Sequence, residues 1–144
     1  MLVEAVLHAK GRSVLTIEQD KTVGDAARAL AERRVGAVVV VENRDRVVGI
    51  LSERDIVRGL GTLGPDIFGQ PVTALMTREV FTCTGADSLD KLMGVMTNRR
   101  FRHIPVVEDG RLAGIVSIGD VVKNKLDEAA MENDSLRHYI AAGR

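Results

Sequence analysis

Gly114-Ile115-Val116-Ser117-Ile118-Gly119-Asp120-Val121-Val122 restates an earlier stretch, Gly49-Ile50-Leu51-Ser52-Glu53-Arg54-Asp55-Ile56-Val57. Each reads as a strand running into a helix: a glycine, two apolar residues, a serine, and an aspartate three positions after the serine. Ser-x-x-Asp marks a helix N-terminus, because the serine oxygen accepts from a free N–H of the first turn and the acid lies favourably near the positive end of the dipole. The offset between the copies is 65 here and 66 further upstream, where Arg100-Phe101 falls on Arg34-Val35 and Val106-Val107-Glu108 on Val40-Val41-Glu42. The missing residue falls where Glu42-Asn43-Arg44-Asp45-Arg46 meets Glu108-Asp109-Gly110-Arg111, and a turn tolerates such a change. A long unit present only twice points to a tandem duplication packed about a pseudo-twofold axis.

The 144 residues, 45% of them hydrophobic, are enough for one core or two small interlocked ones. Formal net charge is zero, so nothing global draws the chain to nucleic acid or an anionic membrane. The longest apolar run, Ala37 to Val41, is far short of the ~20 residues that span a bilayer. The opening residues lack a basic segment followed by an apolar one, so no signal peptide is read. A lone Cys83 fits a reducing cytoplasm. The expectation is a cytoplasmic protein without a membrane segment.

In chain order, residues 2–9 read as a short helix stopped at Lys10-Gly11, and Val14 to Ile17 as a strand. Val23, Ala26, Ala27 and Leu30 then recur at helical spacing over 23–34. Val35 to Val41 is the strongest strand signal, and its unbroken valines imply burial on both faces. Arg46 to Leu51 pairs with it, and Ser52 starts the closing helix. Residues 59–70, with Gly59, Gly61, Gly64, Pro65 and Gly69, read as a mobile linker. The second copy, 71–124, predicts a strand over Val80 to Cys83, a helix over 88–100 and strands over 101–107 and 111–116. Residues 125–144 read as a helical extension restarting near Asn133-Asp134-Ser135. The fold class is thus α/β (α+β), strand-helix-strand-strand-helix twice over.

With the two Gly-x-x-Ser-x-x-Asp stretches, Val35-Gly36-Ala37-Val38-Val39-Val40, Phe101-Arg102-His103-Ile104-Pro105-Val106 and Leu75-Met76-Thr77-Arg78-Glu79-Val80, the chain resembles a tandem pair of cystathionine-β-synthase (CBS) domains, or Bateman module, over residues 2–124. The resemblance implies two open three-stranded sheets packed together, with two clefts that take adenosine-containing ligands such as AMP, ATP, NAD(H) or S-adenosylmethionine. With no catalytic domain read in these 144 residues, the expectation is a stand-alone member.

An aspartate on the first turn of a helix can accept from a ribose diol, while neighbouring N–H groups and a serine hydroxyl suit phosphate. Asp55 and Asp120 are the ribose candidates; the plainer alternative is that each only caps its helix. Arg102 and His103 stand where the first copy has Gly36 and Ala37, so the clefts are expected to differ, and the Asp120 cleft with Ser117, Arg102 and His103 is the favoured site. Through the resemblance, Val35, Gly36 and Ala37 would face the base there. The Asp55 cleft has Ser52, Arg54 and Thr77 for a second ligand. Arg33-Arg34 and Arg99-Arg100 read first as helix-end charges. Cys83 reads as a buried structural residue, and His8, His103 and His138 form no metal-ligand spacing with it.

The expected function is a non-enzymatic sensor: a homodimer that binds an adenine nucleotide as regulatory ligand and changes its affinity for a protein target. Two alternatives stand beside it. A nucleic-acid-binding pair is disfavoured by neutral charge and by only three phenylalanines and one tyrosine. A purely structural dimerisation unit would ignore every nucleotide.

Overall fold

The computed structural model describes residues 1–142. Five helices and five strands follow in the order α1 (Val3–Lys10), β1 (Thr16–Glu18), α2 (Val23–Arg33), β2 (Ala37–Glu42), β3 (Arg46–Ser52), α3 (Glu53–Leu63), α4 (Leu89–Arg99), β4 (His103–Glu108), β5 (Arg111–Ser117) and α5 (Ile118–Ala142). Thr22 closes a capping box with Asp25 at the start of α2, and Ser52 does the same with Asp55 at α3. Ser117 repeats the arrangement with Asp120 at α5. Helices α2 and α4 both end on an arginine in the left-handed region, Arg34 at φ 55° and Arg100 at φ 58°.

β2 is the central strand of its sheet, parallel to β1 and antiparallel to β3. That position explains its run of fully buried valines: Val38 and Val40 pack into one core, and the alternating Val39 and Val41 are equally buried on the other face. The hairpins β2–β3 and β4–β5 carry the same irregularity, one after Val40 and one after Val106. The one-residue difference between the copies falls in their turns: Asn43 and Arg44 in one, Asp109 and Gly110 in the other, all at positive φ.

The two cores do not follow the two copies of the sequence. Val3, Val6 and Leu7 of α1 pack with Leu89, Leu92, Met96, Ile104, Val106 and Val116, so α1 completes the second core. Ile67, from between the copies, and Val72 and Met76, from the start of the second copy, complete the first core beside Val23, Leu30, Val38 and Leu51. The lead segments are exchanged, and the exchange is made twice in the same way. Leu2 bridges to Ser88, and Pro71 bridges to Thr22. The repeated glycines permit it: a Cβ on Gly114 would lie 2.7 Å from Leu7 Cδ2, and one on Gly49 would lie 2.9 Å from Met76 Cγ and 3.0 Å from the Thr77 carbonyl.

Three expectations are corrected. Val80 to Cys83 is not a strand: only Cys83 bridges to Val106, and the second sheet has two strands, not the three that the resemblance implied. In the first sheet the Val39 N–H donates to the Leu15 carbonyl at 3.1 Å. Its counterpart is Pro105, which has no N–H to offer Phe81, so the edge cannot zip up. The glycine-rich stretch is ordered: α3 runs through Gly59 and Gly61, and a 3₁₀ turn over Pro65–Gly69 buries Ile67. Gly59 serves close packing, since a Cβ there would meet Leu75 at 3.0 Å. Finally, α5 is one unbroken helix with no restart near Asn133, and its side chains from 129 to 141 are exposed. Residues 143–144 of the predicted extension lie outside the described residues.

Gly114→Ala is expected to destabilise the protein by about 1–3 kcal/mol through overpacking against Leu7. Chemical denaturation measures this, and a variant as stable as wild type would show that α1 is not held there.

Candidate functional site

In the first hairpin Ala37 lies directly opposite Ser52, and in the second His103 lies directly opposite Ser117. The carbonyl of Gly36 accepts from the Glu53 N–H at 2.9 Å, just as that of Arg102 accepts from the Ile118 N–H at 2.8 Å. Each Ser-x-x-Asp helix start is thus tied to the residues that precede the first strand of its own hairpin. The two ties meet: a Cβ on Gly36 would lie 3.7 Å from His103 Cε1 and 3.5 Å from Glu53 Oε1. Gly36 and His103 therefore stand between Asp55 on one side and Asp120 on the other.

A cavity of about 270 Å³ opens on the Asp55 side. From the first copy it is lined by Gly36, Ala37, Ile50, Ser52, Glu53, Arg54, Asp55 and Arg58, and from the second by Thr77, Arg99, Arg100, Phe101, Arg102 and His103. Asp55 Oδ2 accepts from the Ser52 N–H at 2.9 Å and from the Ser52 hydroxyl at 3.0 Å. Oδ1 has no partner among the described residues. Five arginines face two carboxylates, and none of the five forms an ion pair among the described residues. Such a pocket attracts anions, and guanidinium groups bind phosphate oxygens two at a time. Arg100 reaches the cavity because its left-handed backbone turns the chain off the end of α4.

The Asp120 carboxylate has a different neighbour. Its Oδ2 accepts from the Ser117 N–H at 2.8 Å, from the Ser117 hydroxyl at 3.0 Å and from Lys10 Nζ at 2.6 Å. Burial acts to raise the Asp120 pKa, but the Lys10 ammonium and the Ser117 donors outweigh it and hold the carboxyl below its ordinary value. Burial also pushes the His103 imidazole below its ordinary value, helped by the charges of Lys10 and Arg102 and opposed by Asp120 and Glu53. His103 is accordingly neutral at pH 7 and can both donate and accept a hydrogen bond.

The predicted residues are therefore regrouped. Arg102, His103, Gly36 and Ala37, expected around Asp120, line the cavity of Asp55, Ser52, Arg54 and Thr77. Ser117 and Asp120 do not line it. Val35 lies outside it as well, on a larger hollow between α2 and α3 with Arg34 and Val57. Sequence reasoning missed Arg58 and underweighted Arg99 and Arg100. Arg58 could have been found from its spacing, one turn beyond Arg54 on the exposed face of α3. Cys83 is buried in the second core, and burial pushes its thiol up to about 12, which removes it as a nucleophile at neutral pH. Among the described residues no cluster of His, Cys, Asp and Glu is arranged to hold a metal ion, and no helix is long and apolar enough to cross a membrane.

A CBS-domain protein from Agrobacterium tumefaciens shares this fold at a TM-score of 0.83 and 45% identity, over 87% of this chain and 99% of that one. A CBS-domain protein from Pyrobaculum aerophilum, solved in complex with AMP, is similar at a TM-score of 0.75 and 28% identity, over 83% of this chain and 89% of that one. Among curated proteins, the mitochondrial CBS domain-containing protein CBSX3 of Arabidopsis thaliana is 36% identical across 96% of this chain and 71% of its own length. The sequence model of the CBS domain matches twice, over residues 9–62 and 72–127. With both sequence copies matched by the family model and the fold shared with a solved CBS-domain protein, the chain belongs to the CBS-domain family as a tandem pair.

Proposed function

We propose that this chain is a non-catalytic regulatory module that binds an adenine nucleotide in the Asp55 cleft and passes the event on to a protein target by a change in packing. The observation that carries the reading is the joining, in one cavity, of a helix start bearing an open carboxylate oxygen and a group of arginines drawn from both copies. A ribose hydroxyl would donate to Asp55 Oδ1, and the phosphates would lie among Arg58, Arg99, Arg100 and Arg102. The AMP complex of the Pyrobaculum protein supports the ligand class. The charge around the cavity favours ADP or ATP over AMP, and disfavours the sulfonium cation of S-adenosylmethionine. A ligand so placed touches both copies, so its affinity depends on how they are packed, which is the condition for a signal.

The module is further read as a homodimer. Val57, Leu60 and Leu63 on α3 and Val122 and Leu126 on α5 are exposed apolar side chains on surface helices, and such patches mark association surfaces. The alternative, a structural dimerisation unit, shares this surface but predicts no response to any nucleotide.

Isothermal titration of ADP is expected to show binding that Asp55→Asn weakens roughly ten- to a hundredfold, the loss of about 1.5–3 kcal/mol that a charged hydrogen bond supplies. An ADP concentration ~100 times the dissociation constant should add about 2.7 kcal/mol to stability, several degrees in a thermal scan. Indifference to AMP, ADP, ATP, NADH and S-adenosylmethionine alike would leave the structural unit as the better reading. For the dimer, light scattering should give twice the chain mass for wild type and the single mass for Val57→Glu combined with Leu126→Glu. A monomeric wild type at micromolar concentration would remove the homodimer from the proposal.

A further inference from the structure

Lys10 makes the two clefts unequal, and the reason is visible in how the copies correspond. Leu7 packs on Gly114 as Met76 packs on Gly49, so the lead segments match at an offset of 69. Under that match Lys10 stands where the other copy has Glu79. In the first cleft Ile50 exchanges two backbone hydrogen bonds with Thr77, at 3.0 and 2.9 Å, so the Ile50 carbonyl is satisfied by the main chain. In the second cleft the lead segment is a full helix that ends at Gly11, at φ 97°, and its backbone does not return along β5. The Ile115 carbonyl, counterpart of that of Ile50, accepts instead from Lys10 Nζ at 2.9 Å, and the same ammonium lies 2.6 Å from Asp120 Oδ2. The two side chains are only 30% and 21% exposed, so the pair is shielded well beyond an open surface ion pair.

We propose that Lys10 is an internal occupant of the second cleft, a latch that holds the Asp120 carboxylate and keeps nucleotide binding to the Asp55 cleft. A nucleoside entering the second cleft would have to displace the ammonium from the carboxylate and strip the Ile115 carbonyl of its donor. The first cleft demands neither. Because α1 is anchored by Val3, Val6 and Leu7 in the second core, the latch opens by a swing of the Lys10 side chain while the helix stays in place. The inference rests on reading the Asp55 cleft as a nucleotide site.

Titration calorimetry with ADP on the full chain tests it. Wild type should bind one ADP per chain, and Lys10→Met should bind two, the second site gaining at least tenfold in affinity and disappearing again in Lys10→Met combined with Asp120→Asn. Lys10→Gln, which removes the charge but keeps a hydrogen-bond donor, carries the same expectation and serves if the methionine variant does not fold. One site in wild type and still only one in the folded Lys10 variants, or two sites in wild type, would overturn the latch. Binding by Lys10→Met with none by wild type would instead overturn the Asp55 reading and leave the latch standing.

Discussion

The close approach of Leu7 to Gly114 and of Met76 to Gly49 fixes how the two halves of this molecule interlock. Each contact seats a lead segment in the core of the opposite half, and each needs a position without a Cβ on the outer strand of a hairpin. Removing either segment would uncover a row of buried valine, leucine and isoleucine side chains, each worth about 1.5–3 kcal/mol when fully buried. Neither half is therefore a self-sufficient unit. The same crossing carries the chain from Met76 into Thr77, which pairs with Ile50 and forms a wall of the cavity.

The cleft follows from that interlocking. Asp55 and Ser52 are set by a capping box local to α3, which also carries Arg54 and Arg58, whereas Arg99, Arg100 and Arg102 come from the end of α4 and just beyond it, more than forty residues later. Packing the halves together gathers positive charge that no stretch of the sequence displays by itself. The second helix start, built from the same residues in the same geometry, acquires Lys10 instead, because its lead segment is a longer helix. Duplicated sequence has produced two unlike sites through differences in the segments that cross, while the repeated motif is unchanged.

The repeated Ser-x-x-Asp, the caps, the buried β2 and the turn with the lost residue were all legible in the sequence, because each is set by neighbours within a few positions. What was not legible depends on partners far along the chain. Pro105 reads as an ordinary residue of β4 until its missing N–H is set against Phe81. Gly59 and Gly61 read as flexibility, but lie within a helix whose face is closed by Ile67 and Leu75. The site was legible as a list of residue types and not as a grouping: the sequence placed Arg102 and His103 with their ladder neighbour Ser117, and the cavity opens toward Asp55.

A crystal structure of the full chain grown with ADP tests the central claim most directly. The account predicts ligand density in the Asp55 cleft, with the ribose at the Asp55 carboxylate, the diphosphate among Arg99, Arg100 and Arg102, and Lys10 still on Asp120. Density in the Asp120 cleft with the Asp55 cleft empty would contradict it.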